Sequence, residues 1–228
     1  MTYEFVPGDE KVIAPGRTIK RIRALVAIAA FGVSAGDLGG YIESERNLSQ
    51  VSGDAWVSGE ARVYGNAQVS GDAQVYGNAQ VYGNAQVYGN AWVSGNAQLS
   101  GDARVSGNAR VSGNAQVSGD AWVSGNAQVS GDAWVSGDAQ VSGDARVSGN
   151  ARVSGDGLIV WFSNVGSENG TLTAYNAKDN EIEVTRGCFK GSIDEFLAAS
   201  EKKHDDQTHL EYRLLIEVAH SRITRARK

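Results

Sequence analysis

From Val51 onward, apolar and polar positions alternate on a six-residue beat. Eighteen consecutive units, starting at 51, 57, 63 and on through 153, read V-[S/Y]-G-[D/N/E]-A-x without an insertion. Leu99 is the only change at the first position and Gly157 the only change at the fifth. A period this strict marks a stacked array. It cannot be helical, because 3.6 residues per turn do not divide six evenly. A short strand and a corner fit instead. In A-x-V-[S/Y], strand alternation puts Ala and Val on one face and x and Ser/Tyr on the other. The pair Gly-Asx then makes the corner, both residue types tolerating the positive φ that a sharp turn needs. Three such sides close an 18-residue coil, and 18 units give six coils. At about 4.8 Å between stacked strands the rod is about 29 Å long. One Val and one Ala per unit cannot offset the ordering of six residues, so stability has to come from stacking and be cooperative along the array.

The flanks lose this beat. Before it, the pattern predicts strands at Tyr3–Val6 and Lys11–Ala14, read as a hairpin, and more strand near Thr18–Ile28. The ten-residue apolar run Ala24–Val33 is too short to span a membrane, which needs about 20 residues. Basic residues precede it, as in a signal peptide, but Glu4, Asp9 and Glu10 also precede it. It is read as a buried cap segment. After Gly155, Leu158–Phe162 reads as a strand, and Thr171–Tyr175 and Glu181–Thr185 as a hairpin. Ser192 and Glu195 form a capping box opening a helix to about Lys203. Thr208 and Glu211 give a similar signal for a second helix to about Ser221, with Leu210, Leu214, Leu215 and Val218 as its apolar stripe. The division is therefore 1–50 as N-terminal cap and irregular first coil, 51–158 as solenoid, and 159–228 as a small ββαα domain.

Composition narrows the function classes. The 228 residues hold 21 Lys and Arg against 26 Asp and Glu, a net charge of −5. That is not the footprint of a nucleic-acid binder. Residues 51–156 carry nine acids against five arginines, too sparse to imitate a duplex with a charge every ~1.7 Å. One cysteine, Cys188, excludes an internal disulfide and a cysteine-rich zinc site.

The spacing of Val51 with Ala55, and Val57 with Ala61, resembles the hexapeptide-repeat β-helix proteins, except that glycine stands third in the unit here instead of second. The resemblance implies a left-handed parallel β-helix; periodicity alone does not give the hand. The flanking motifs Leu38-Gly39-Gly40-Tyr41-Ile42-Glu43 with Asn47-Leu48-Ser49, and Gly187-Cys188-Phe189-Lys190-Gly191-Ser192, look like hexapeptide-repeat proteins of phages and prophages. That implies a phage-related origin and no particular reaction.

Many β-helix proteins of this kind are acyltransferases, with a catalytic histidine on the solenoid or on a loop inserted in it. Residues 51–158 contain neither; His204, His209 and His220 all fall in the C-terminal helices. We therefore expect no enzyme, catalytic residue, cofactor or metal site. Binding is the expected role. Residues 18 apart stack, so Asn66, Asn84, Asp102, Asp120, Asp138 and Asp156 form one corner column, read either as a cation or basic-partner contact or, preferably, as interchangeable turn residues. Outward aromatics suit a protein interface. Tyr64 and Tyr82 are expected on one side with Trp122 further along it, Trp56 and Trp92 on a second side with Tyr88, and Tyr76 with Trp134 on the third. The expected partner is a protein, in particular a host protein such as a defence protein that the chain would inhibit, in the cytoplasm of the host cell, with no membrane and no direct nucleic-acid contact. A homo-oligomer, dimer or trimer, is also expected. The rival roles are an acyltransferase-like enzyme and a virion component.

Overall fold

The computed structural model describes residues 2–51, 53–155 and 157–228. Strands β1 (Tyr3–Ala14), β2 (Arg17–Ala24) and β3 (Leu38–Ile42) lead into seventeen short strands, β4–β20. These recur at six-residue steps from Trp56–Val57 to Arg152–Ser154. They stack 18 residues apart into three parallel sheets, the walls of a solenoid of about six turns. The pairings Trp92↔Arg110, Gln98↔Gln116 and Arg104↔Trp122 show one wall each. Valines and alanines from Val57 to Val153 fill the interior and are almost fully buried.

Most units send three backbone N–H groups to the next coil. In one unit Asn84 N–H reaches Gly101 O at 2.8 Å, Gln86 reaches Ala103 O at 2.9 Å, and Tyr88 reaches Val105 O at 3.0 Å. The corner closes on itself as well, Ala97 N–H donating to Ser94 O at 3.3 Å. Its positive φ falls on glycine alone: Gly95 has φ +67°, while among the described residues no Asx of the repeat corners has a positive φ. The turn thus follows the pattern with positive φ at its first central residue. Glycine is needed for a second reason, since a Cβ on Gly95 would lie 2.9 Å from Gly113 O on the next coil.

The regular array starts later than the repeat does. Val51 is 96% exposed, while Leu48 is fully buried and bridges Val69. Asn47-Leu48-Ser49 therefore occupies the place of x-V-S in the first coil, and Leu48 fills the core where Val51 would stand. The N-terminal cap also differs from expectation. Tyr3–Val6 and Lys11–Ala14 do not pair with each other. They are parts of one strand, β1, which runs antiparallel along β2 with an irregularity between Phe5 and Glu10 that takes up Pro7. The Ala24–Val33 run buries only Ala24 and Ile28; Leu25 and Val26 are 44% and 45% exposed. It loops outward between β2 and β3 and is anchored through Ile28 and Val33.

The far end is closed by an antiparallel sheet in the order β21 (Ile159–Val165), β22 (Gly170–Asn176), β23 (Ile182–Arg186), β24 (Phe189–Ser192). The last strand was not foreseen in the sequence. Helix α1 (Ile193–Lys203) opens on the Ser192/Glu195 capping box. Helix α2 (Asp206–Ala226) is capped by Asp205, whose carboxylate accepts Thr208 N–H. It starts before Thr208 and runs beyond Ser221. Its buried residues are Tyr212, Ile216, Ala219 and Ile223. Leu210, Leu214 and Val218, expected to pack, are 43%, 52% and 47% exposed. Among the described residues no helix is long and apolar enough to cross a membrane.

Candidate functional site

The candidate surface is the outside of the solenoid, where x and Ser/Tyr flank each buried valine. Because both flank the same valine, both belong to the same wall, and this changes the expected grouping of aromatics. Tyr64, Tyr82 and Trp134 share one wall, Trp56, Tyr76 and Trp92 the second, and Tyr88 and Trp122 the third. Tyr64 and Tyr82 stack nearly parallel, ring centroids 5.2 Å apart. Trp134 stands three coils beyond Tyr82 on that wall. Trp56 is not outward-facing in effect: it is 3% exposed and covered by the N-terminal cap. A Cβ on Gly39 would lie 2.9 Å from its ring, so the bare backbone of Gly39 is what seats it.

Three tryptophans remain accessible, one to each wall: Trp92 at 36%, Trp122 at 40% and Trp134 at 48%. Each has an arginine in register on an adjacent coil. The Arg110 guanidinium lies 4.8 Å from the Trp92 ring centre, and the Arg152 guanidinium 4.6 Å from that of Trp134. Arg104 pairs in register with Trp122, whose indole N–H donates to the buried Ser106 hydroxyl at 3.2 Å. Stacking on arginine holds the Trp92 and Trp134 indoles flat with a cation beside each, while the hydrogen bond to Ser106 fixes Trp122. Such a pair offers apolar area and a donor fork at little cost in rotamer entropy.

The corners carry ladders of amides. Asn66 Nδ2 donates to Asn84 Oδ1 at 3.1 Å, and Asn84 Nδ2 to Asp102 Oδ1 at 2.9 Å. The other corners run alike, Asn78–Asn96–Asn114–Asp132 and Asn90–Asn108–Asn126–Asp144. Each ladder stops at an aspartate because an ionised carboxylate has no proton to donate. Asp102, Asp120 and Asp138 are exposed and stacked in register; Asp156 lies outside the described residues. Among the described residues no three His, Cys, Asp or Glu side chains lie together closely enough to hold a metal ion.

A hollow of about 170 Å³ lies in the C-terminal domain between Arg186, Phe189, Phe196, Lys203, His204 and Tyr212. Arg186 is occupied: Nη2 donates to Val165 O at 3.2 Å, and Nη1 is 3.8 Å from the Glu168 carboxylate. His209 Nδ1 is 3.1 Å from the Ser200 hydroxyl, a contact that joins α2 to α1.

Comparison with known proteins bears on the coils. Ten segments, the first 61–77 and the last 145–159, match the YdcK Beta solenoid repeat; together they span 61–77 and 79–159. No curated protein matches the chain.

Proposed function

We propose that this β-solenoid repeat chain is a non-catalytic binding protein that grips a protein partner with the Trp–Arg pairs on its walls. The observation that carries the reading is the accessibility of Trp92, Trp122 and Trp134, each with an arginine in register on an adjacent coil, on an array whose other outward positions are mostly Ser and Gln with a few Tyr and Arg. Partly exposed Trp and Arg are the residue types that dominate binding energy at protein interfaces. Three walls with one pair each suit a partner, or several copies of one, wrapped around the rod. The resemblance to phage proteins supports a search among bacterial host proteins, those of defence systems first, with the host cytoplasm as the place of action in this reading. A homo-oligomer, dimer or trimer, belongs to the same reading.

The test uses the tagged full chain in a bacterial host extract, beside a variant with Trp92, Trp122 and Trp134 all changed to Ala. A stoichiometric protein retained by the wild type and lost by a folded variant supports the proposal. Equal retention by both rejects the tryptophans as the grip. Co-purification with phage particles alone would make the chain a virion component, and a thermal shift with acyl-CoA would favour the acyltransferase alternative.

A further inference from the structure

Helix α2 carries two apolar stripes, and its own domain uses one. Tyr212, Ile216, Ala219 and Ile223 pack inward and are at most 3% exposed. At 3.6 residues per turn Leu214 points about 200° away from Ile216. Leu210, Leu214 and Val218 therefore line the opposite side, about half exposed. An apolar groove along α1, lined by Ile193, Leu197 and Ile216 with Arg213, Glu217 and His220 at its rim, adjoins this stripe. A helix apolar on two opposite sides is the pattern of one sandwiched between layers.

We infer that the missing layer is α2 of a second copy, packed antiparallel about a two-fold axis at Leu214. The stripe is self-complementary in this arrangement. Leu214 meets Leu214, and Leu210 of each copy lies level with Val218 of the other. The charges agree. Arg213 is one residue before the axis and Glu217 three after it, so each Arg213 falls about 3 Å along the axis from Glu217 of the second copy, on the same edge. Neither residue has an ion-pair partner among the described residues. The start of α2, with Asp205 and Asp206, lies level with the Arg222 and Arg225 end of the other copy, and the helix dipoles oppose. A parallel two-fold pair would align the dipoles and put Arg213 of one copy and Glu217 of the other on opposite edges, out of reach. A two-fold contact also closes, so it gives dimers and no fibre.

This deepens the oligomer reading and fails separately from the partner reading, because its variants leave Trp92, Trp122 and Trp134 in place. Light scattering on the full chain at about 50 μM should give twice the 24.0 kDa chain mass. Leu214→Glu should give a 24.0 kDa monomer with an unchanged far-UV circular dichroism spectrum. Arg213→Glu should weaken the dimer at least fivefold, and adding Glu217→Arg should restore it. In a Cys188→Ser background, Leu214→Cys should cross-link to a dimer on mild oxidation. A wild-type monomer, a trimer, or a dimer that survives Leu214→Glu would overturn the inference.

Discussion

Asp120 stands between Asp102 and Asp138 on an exposed corner of the rod. None of the three can donate to the next, whereas an asparagine there can, as Asn84 does to Asp102. Asp120→Asn adds a donor facing Asp138 and removes like-charge repulsion. We expect stability to rise by about 0.5–1 kcal/mol, read as a higher Tm. A lower Tm would mean that the carboxylate has a bound partner. The 18-residue spacing alone placed this column; the ladder's direction and its end at each aspartate follow from side-chain chemistry once the stacking is known. Trp56 was harder to read. Its unit is like any other, and only the approach of Gly39, from a segment without the repeat, buries it.

The solenoid leaves open backbone groups at both ends, and single side chains answer many of them. At the N-terminal end the buried Asn47 donates from Nδ2 to Gly65 O at 3.0 Å and to Ala67 O at 2.8 Å. Its Oδ1 accepts Ser44 N–H. Asn47→Asp would turn a carboxylate toward two carbonyls, and we expect a loss of about 3 kcal/mol or more in denaturant unfolding. At the other end Ser148 N–H donates to the Tyr175 hydroxyl, which donates to Ser148 O, while Thr185 donates to Arg146 O and Asn176 to Arg152 O. Tyr175 and, in the N-terminal cap, Tyr3 are buried phenols. Burial raises Tyr3 to about 12, and raises Tyr175 further. A raised folded value means that the neutral form is favoured by folding. Their contribution is whole below about pH 10, the unfolded value. It is lost as pH rises through about 12 for Tyr3. The Tm should therefore be insensitive to these groups at neutral pH and fall between about pH 10 and 12. A Tm unchanged across that window would show that the phenols are free to ionise in the folded chain. The caps were less legible than the coils because they have no repeat. The Ala24–Val33 run reads as core by composition but is held at only a few points, and α2 offers two stripes between which periodicity cannot choose; the packing of Tyr212 against Phe196 shows which turns inward.

Taken as one body, the chain is a rod whose hydrogen bonds run coil to coil from the N-terminal cap to the C-terminal sheet. The repeat made the six coils legible, because Val and Ala at fixed places leave one way to close the interior. The distribution of aromatics over the walls follows from the same strand A-x-V-[S/Y], in which x and Ser/Tyr flank one valine; the expected grouping differs because it joins each Tyr to the x beyond the next corner. With the corner at Gly-Asx, the three accessible tryptophans, Trp92, Trp122 and Trp134, divide one to a wall, and each has an arginine in register on an adjacent coil. The rod's stiffness keeps these pairs at fixed separations before any partner arrives, which lowers the ordering cost of binding. The most direct measurement is the affinity of the full chain for its captured partner, by calorimetry, for the wild type and for Trp92→Ala, Trp122→Ala and Trp134→Ala singly and combined. We expect at least one single change to weaken binding about tenfold or more, and the triple variant to abolish it with its Tm little changed. Undiminished binding by a folded triple variant would contradict the assignment of the walls as the binding surface.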